Sequence, residues 1–124
     1  MSYKNLEIWR LSNELAIEIH EMTLLLPSYE LYEIGSQIRR SSKSVKSNIV
    51  EGFGRRKYKA DFIKFLMYAL ASNDETADHL ETLFLTKSLK DEILFNALKE
   101  KNMLFGKKLN KFLNAVQKKH NVFQ

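Results

Sequence analysis

No cysteine occurs in the 124 residues, which excludes a disulfide framework and any thiol chemistry and fits a reducing, cytoplasmic setting. One proline, Pro27, and four glycines give too little punctuation for a many-stranded β fold. No apolar run approaches the roughly 20 residues that cross a bilayer, and the opening MSYKNLEIW lacks the apolar stretch of a secretory signal. A soluble protein with no membrane partner is the expectation. The composition, 44% hydrophobic and 28% charged, is that of a globular chain, and the length suits a single domain over residues 1–124.

Chemistry-bearing constellations are also missing. His20, His79 and His120 are far apart in sequence, and Glu75 with His79, one turn apart, has no second ligand pair to complete a metal site. Asp74, Asp78 and Glu81 share one helical face that reads as solvated or ion-paired rather than as acid–base carboxylates. No phosphate-binding glycine loop or nucleophile elbow is present, since the GFG at 52–54 is too short to cradle phosphate. Tyr3, Trp9, Tyr29 and Tyr32 read as core aromatics near helix ends. The sequence therefore predicts no catalytic residue, no metal, no cofactor and no enzymatic activity.

What the chain does carry is helical periodicity. Ile8, Leu11, Leu15, Ile19, Met22 and Leu26 recur at three- and four-residue steps, and the helix they define should end at Pro27, with Ser28 capping a following turn. A second helix is expected over about 33–54, with Ile34, Ile38, Val45 and Ile49 inward and Gly52 and Gly54 ending it in a left-handed conformation. A third is expected over about 58–88, with Phe62, Phe65, Leu66, Ala69, Leu70, Ala77, Leu80 and Phe84 inward. A fourth, about 89–119, carries Leu94, Leu98, Phe105, Leu109, Phe112 and Val116. Short connections between long helices make neighbours antiparallel, so the predicted fold is all-α, an up-down-up-down antiparallel four-helix bundle.

Charge alternates along the chain. Residues 1–38 hold two basic and six acidic side chains, 39–64 nine and two, 65–100 three and seven, and 101–124 six and none. In an up-down bundle the second and fourth blocks meet at one pole, which predicts a basic end. Lysines near a helix C-terminus complement the macrodipole, which accounts for Lys118 and Lys119. It does not account for Arg55, Arg56, Lys57 and Lys59, which are expected near the start of the third helix, where positive charge is disfavoured.

The second helix has a further polar face. Gln37, Ser41, Ser44, Asn48 and Glu51 follow steps of four, three, four and three, about 100° from the core stripe. Buried polar groups need partners, so this face reads as a contact surface, toward the third helix or toward another subunit. Asn48 and Glu51 act there either as packing-specificity devices or as ligand contacts. Antiparallel pairing puts Arg40 opposite Glu75, an expected ion pair.

These residues carry a family resemblance. QIRRSSKSVKSNIVEGFGRR, with Gln37, Arg39, Arg40, Ser41, Ser44, Val45, Asn48, Ile49, Glu51 and Gly52 at motif positions, resembles the four-helix-bundle proteins encoded in intervening sequences of bacterial 23S ribosomal RNA genes. LEIWRLSNELA at the start, Leu26-Pro27, and Ala69, Ser72 and Glu75 match as well, so the likeness covers nearly the whole chain. Glu33-Ile34 stands where the family often has Gly-Leu, and Tyr58 where it usually caps the third helix with Ser. The resemblance implies a small, non-enzymatic homo-oligomer, a pentamer. It also points to a related accessory protein of diversity-generating retroelements that binds nucleic acid and partners a reverse transcriptase.

Together these features favour a protein that binds RNA or DNA phosphates through Arg39, Lys43, Lys46, Arg55, Arg56, Lys57 and Lys59, with Lys107, Lys108 and Lys111 as a second set. Gln37, Arg40, Ser44, Asn48, Glu51, Gly52 and Glu75 are expected to serve structure. The alternatives are a protein-interaction scaffold that contacts no nucleic acid and a basic surface that serves solubility alone.

Overall fold

Apolar residues spaced for helices end up in helices. The computed structural model describes residues 1–119 and contains α1 (Glu7–Thr23), α2 (Ile34–Gly54), α3 (Lys59–Leu85) and α4 (Glu92–Lys118), with single 3-10 turns at Tyr3–Asn5 and Ser28–Leu31. His120 lies outside the described residues. Every neighbouring pair runs antiparallel. Asn13 and His20 of α1 meet Lys46 and Lys43 of α2, and Ser44 and Ser41 of α2 meet Ser72 and Thr76 of α3. Phe62, Asn73 and Phe84 of α3 meet Phe112, Asn102 and Phe95 of α4. Glu7 and Glu18 of α1 return to Lys108 and Lys101 of α4. This is the up-down-up-down bundle, closed by α4 against α1.

Its core is a continuous cluster in which Ile19, Ile38, Ile49, Leu66, Leu83 and Leu109 are fully buried. The inward face of α3 is more polar than its apolar stripe suggested. Asn73 and Thr76 are buried, whereas Phe65, Leu70, Ala77 and Phe84 are only half-buried. Halfway along the bundle Ser12, Ser41, Ser42, Asn73, Thr76 and Asn102 form a polar layer whose groups satisfy one another or nearby carbonyls. Asn102 Nδ2 donates to Asn73 Oδ1 at 2.9 Å, and Asn73 Nδ2 donates back to the Asn102 carbonyl at 3.4 Å. A Cβ at residue 106 would stand 2.9 Å from Asn73 Nδ2, so Gly106 leaves room for this pair.

Helix ends depart from the sequence expectations for identifiable reasons. α1 stops at Thr23 instead of running to Pro27: the residue before a proline avoids the helical region, and the chain turns through Leu24–Leu26. The following turn starts from Pro27, and Ser28 does not cap it. Neither Gly52 nor Gly54 has a positive φ. Gly52 is needed for close approach instead, because a Cβ there would lie 3.1 Å from Phe65 Cβ across the α2–α3 contact. α3 ends three residues early because Lys87, at φ 65°, reverses the chain with its N–H on the Phe84 carbonyl at 3.1 Å. α4 starts at Glu92 because Asp91 caps it, accepting from Leu94 N at 3.0 Å.

At the pole holding the α1–α2 and α3–α4 connections sits a residue the sequence reading did not single out. Glu30 is 3% exposed. Its carboxyl accepts from Gly35 N at 3.2 Å and from Ser88 Oγ at 2.6 Å, while Tyr29 OH lies 2.8 Å from the same Ser88 oxygen. One buried side chain thus ties two loops 58 residues apart in sequence.

Candidate nucleic-acid interface

The opposite pole is built by the α2–α3 corner, the last turns of α4 and the start of α1. Phe62 in the first turn of α3 meets Phe112 near the end of α4, ring centres 6.0 Å apart, and this contact brings residues 55–59 and 107–118 to the same end of the bundle.

The corner follows from local chemistry. Arg55 is the residue that closes α2, its N–H on the Glu51 and Gly52 carbonyls. Arg56 Nη1 donates to the Phe53 carbonyl at 3.0 Å, and its guanidinium carbon sits 4.0 Å from the Phe53 ring centre. Both arginines therefore belong to the C-terminus of α2, where the macrodipole favours positive charge, and not to the N-terminus of α3. Part of their presence is thus ordinary helix termination. Arg55 is also held between Glu51 at 3.6 Å and Asp61 at 3.7 Å, with the Phe65 ring at 5.1 Å, so its charge is largely offset. No side chain caps the start of α3 at Tyr58, and Asp61 lies in its first turn.

Among the described residues, Lys57 and Lys59 have no ion pair, nor do Lys107, Lys111 and Lys118 on α4. Lys57 Nζ lies 5.9 Å from the Tyr58 ring centre. Lys108 is different: its Nζ donates to Glu7 Oε1 at 2.6 Å. That bond and the lysine's charge hold the Glu7 carboxyl below the usual carboxylate range.

The remaining predicted cations are elsewhere. Arg39 Nη2 donates to the Leu31 carbonyl at 3.0 Å, Lys43 Nζ lies 3.2 Å from His20 Nδ1, and Lys46 Nζ donates to Asn13 Oδ1 at 2.9 Å. Lys43 and Lys46 line the α1–α2 seam, and Arg39 lies at its end beside the Ser28–Leu31 turn. At 1.5 Å per residue, Lys46 is about 14 Å and Arg39 about 24 Å along α2 from Arg55. The structure brings together the corner and α4 sets but not the seam set.

The polar face of α2 meets α3. Ser41 Oγ and Thr76 Oγ1 are 2.8 Å apart, Ser44 Oγ and Ser72 Oγ 3.0 Å, and Asn48 Nδ2 donates to the Ser44 carbonyl at 2.9 Å. Gln37 and Arg40, at the other end of the stripe, are exposed. The Arg40–Glu75 ion pair does not form, because Glu75 Oε2 meets His79 Nε2 at 3.0 Å one turn along its own helix. Of the four aromatics expected in the core near helix ends, Tyr3 and Trp9 are half-buried and meet edge-on at 5.2 Å near the basic pole, while Tyr29 and Tyr32 lie exposed at the other.

Among the described residues no group of three or more His, Asp or Glu side chains is placed to hold a metal. No helix among them is long and apolar enough to cross a membrane.

A crystal structure of a protein of unknown function from the S23 ribosomal protein family of Bacteroides thetaiotaomicron VPI-5482 superposes with a TM-score of 0.76 at 27% identity, covering 86% of this chain and 95% of that one. No curated protein matches the chain. A family model described as 23S rRNA-intervening sequence protein matches residues 4–111, from the turn before α1 into the last third of α4 and through the whole α2 motif. The chain belongs to the 23S rRNA-intervening sequence protein family.

Proposed function

We propose that this is a non-enzymatic, cytoplasmic nucleic-acid-binding protein that grips phosphates through one pole of the bundle. The observation that carries the reading is the meeting of Lys57 and Lys59 at the α2–α3 corner with Lys107, Lys111 and Lys118 of α4, none held in an ion pair among the described residues. Helix termination accounts for Arg55, Arg56 and Lys118 but not for the other four lysines. Such a surface binds a polyanion without reading bases, with affinity that falls as salt rises.

The test is retention of RNA and DNA on a filter at about 50 mM salt, for the wild-type protein and for Lys57→Glu/Lys59→Glu/Lys107→Glu/Lys111→Glu. The wild type should retain nucleic acid and the variant should not, whereas Lys43→Glu/Lys46→Glu on the α1–α2 seam should retain it. Absence of retention by the wild type, or equal loss from the seam variant, contradicts the assignment.

A second reading, an interaction scaffold, is favoured by one feature. Leu11, Leu15, Leu104 and Phe105 floor a groove of about 210 Å³ between α1 and α4, rimmed by Glu14, Glu18, Lys101 and Lys108. We propose that homo-oligomerisation, to a pentamer on the family resemblance, uses this side, since Ser41 and Ser44 of the polar face of α2 are taken up by α3. A protein partner such as a reverse transcriptase would meet the assembled basic poles, and its capture from lysate only before nuclease treatment would favour the nucleic-acid reading.

A further inference from the structure

The basic corner carries aromatic rings that the fold does not use. Tyr58 is 62% exposed and Tyr68 is 47% exposed, and no hydrogen bond holds either hydroxyl among the described residues. The two are ten residues apart, about 15 Å along α3. Between them Phe65 packs edge-on to Tyr68 at 5.6 Å, which fixes the Tyr68 ring and leaves it half open to solvent. On a helix wheel positions 65 and 68 lie about 60° apart, and Tyr58 stands at the N-cap of the same helix, so the three rings make a strip along the first turns of α3.

Cations accompany the strip. Lys64 Nζ is 5.9 Å from the centres of both Phe65 and Tyr68, and Lys57 Nζ is 5.9 Å from Tyr58. Two carboxylates stand close by, Glu51 and Asp61, and both face Arg55.

We infer that this strip is a stacking platform for unpaired bases, so that the ligand of the basic pole is single-stranded nucleic acid and not duplex. The inference rests on the nucleic-acid reading above and deepens it. Lysines alone serve either form, because both present phosphates. Exposed rings do not, because a duplex keeps its base faces stacked inside, whereas a single strand offers a face at every nucleotide whatever its sequence. Rings about 15 Å apart with ammonium groups beside them match a backbone tracked over several nucleotides, within the 4–16 nucleotides typical of one single-strand-binding module.

Fluorescence anisotropy with a labelled oligothymidylate of about 15 nucleotides, alone and annealed to oligoadenylate, tests it. The wild type should bind the single strand about tenfold more tightly than the duplex. Tyr58→Leu/Tyr68→Leu should lose about tenfold or more on the single strand and nothing on the duplex. Tyr58→Phe/Tyr68→Phe, which keeps both rings, should bind as the wild type. Circular dichroism checks that the variants, altered only at exposed positions, remain folded. Equal wild-type affinity for both forms, or a leucine variant that binds the single strand normally, overturns the stacking platform and leaves phosphate binding standing. Wild-type binding to neither form overturns both.

Discussion

Asn73 and Asn102 exchange hydrogen bonds in the polar layer halfway along the bundle, and their value to the fold differs from their value to each other. Removing one partner leaves the other's buried amide unsatisfied, at about 1–3 kcal/mol. Removing both removes the unmet groups. Denaturant unfolding of Asn102→Ala should therefore show a loss of about that size, while Asn73→Leu/Asn102→Leu should lose less than the sum of the single changes. Strict additivity would contradict the pairing.

Glu30 is the same kind of case at the distal pole. Glu30→Leu leaves Gly35 N and Ser88 Oγ without their acceptor and should cost about 1–3 kcal/mol. Gly35→Ala should destabilise as well, since a Cβ there would stand 2.5 Å from the Glu30 carbonyl oxygen. An unchanged denaturation midpoint for either variant would rule out the loop tie.

At the scale of the helices, the end of α4 and the start of α1 are joined by Lys108 and Glu7. The lysine holds the Glu7 carboxyl below its ordinary range in the folded protein, so the folded state binds this proton less readily than the unfolded one. The resulting stabilisation is present above the ordinary carboxylate range and is lost as pH falls through the depressed value. Both groups are exposed, so the effect on stability is small. The effect on the pole is larger in kind, because protonating Glu7 releases Lys108. Nucleic-acid affinity should rise as pH drops through the depressed Glu7 value, below the ordinary carboxylate range, and Glu7→Gln should show that raised affinity already at neutral pH. An unchanged affinity for Glu7→Gln would show that Lys108 does not face the ligand.

The helices themselves were legible because Ile19, Ile38, Ile49, Leu66, Leu109 and their neighbours recur at helical spacing and bury for that reason. Where they stop was less so. Lys87 reverses the chain in a conformation usually given to glycine, and no residue type announces it. The middle of the polar stripe of α2, Ser41 and Ser44, makes the expected contact while Gln37 and Glu51 at its ends are exposed, and periodicity cannot say which neighbour such a face touches. Arg55 and Arg56 were misread by position alone: one turn decides whether a cation sits at an unfavourable helix start or a favourable helix end. Glu30 left no trace because a buried carboxyl in a loop has the same one-letter code as a solvated one.

For the molecule as a whole, the alternating charge blocks acquire meaning only through topology. Three chain reversals bring the α2–α3 corner and the last turns of α4 together, and they separate both from the Arg39, Lys43 and Lys46 seam. If copies assemble through the α1–α4 groove, Leu104→Glu should shift light-scattering mass to the monomer without reducing helix content. A mass unchanged from the wild type would move the interface elsewhere.

Amide chemical-shift mapping during titration with a short single-stranded oligonucleotide tests the central assignment most directly. The account predicts that perturbations cluster at residues 55–68 and 107–118 and fade as salt rises. Perturbations confined to the Arg39–Lys46 seam, or none at low salt, would contradict it.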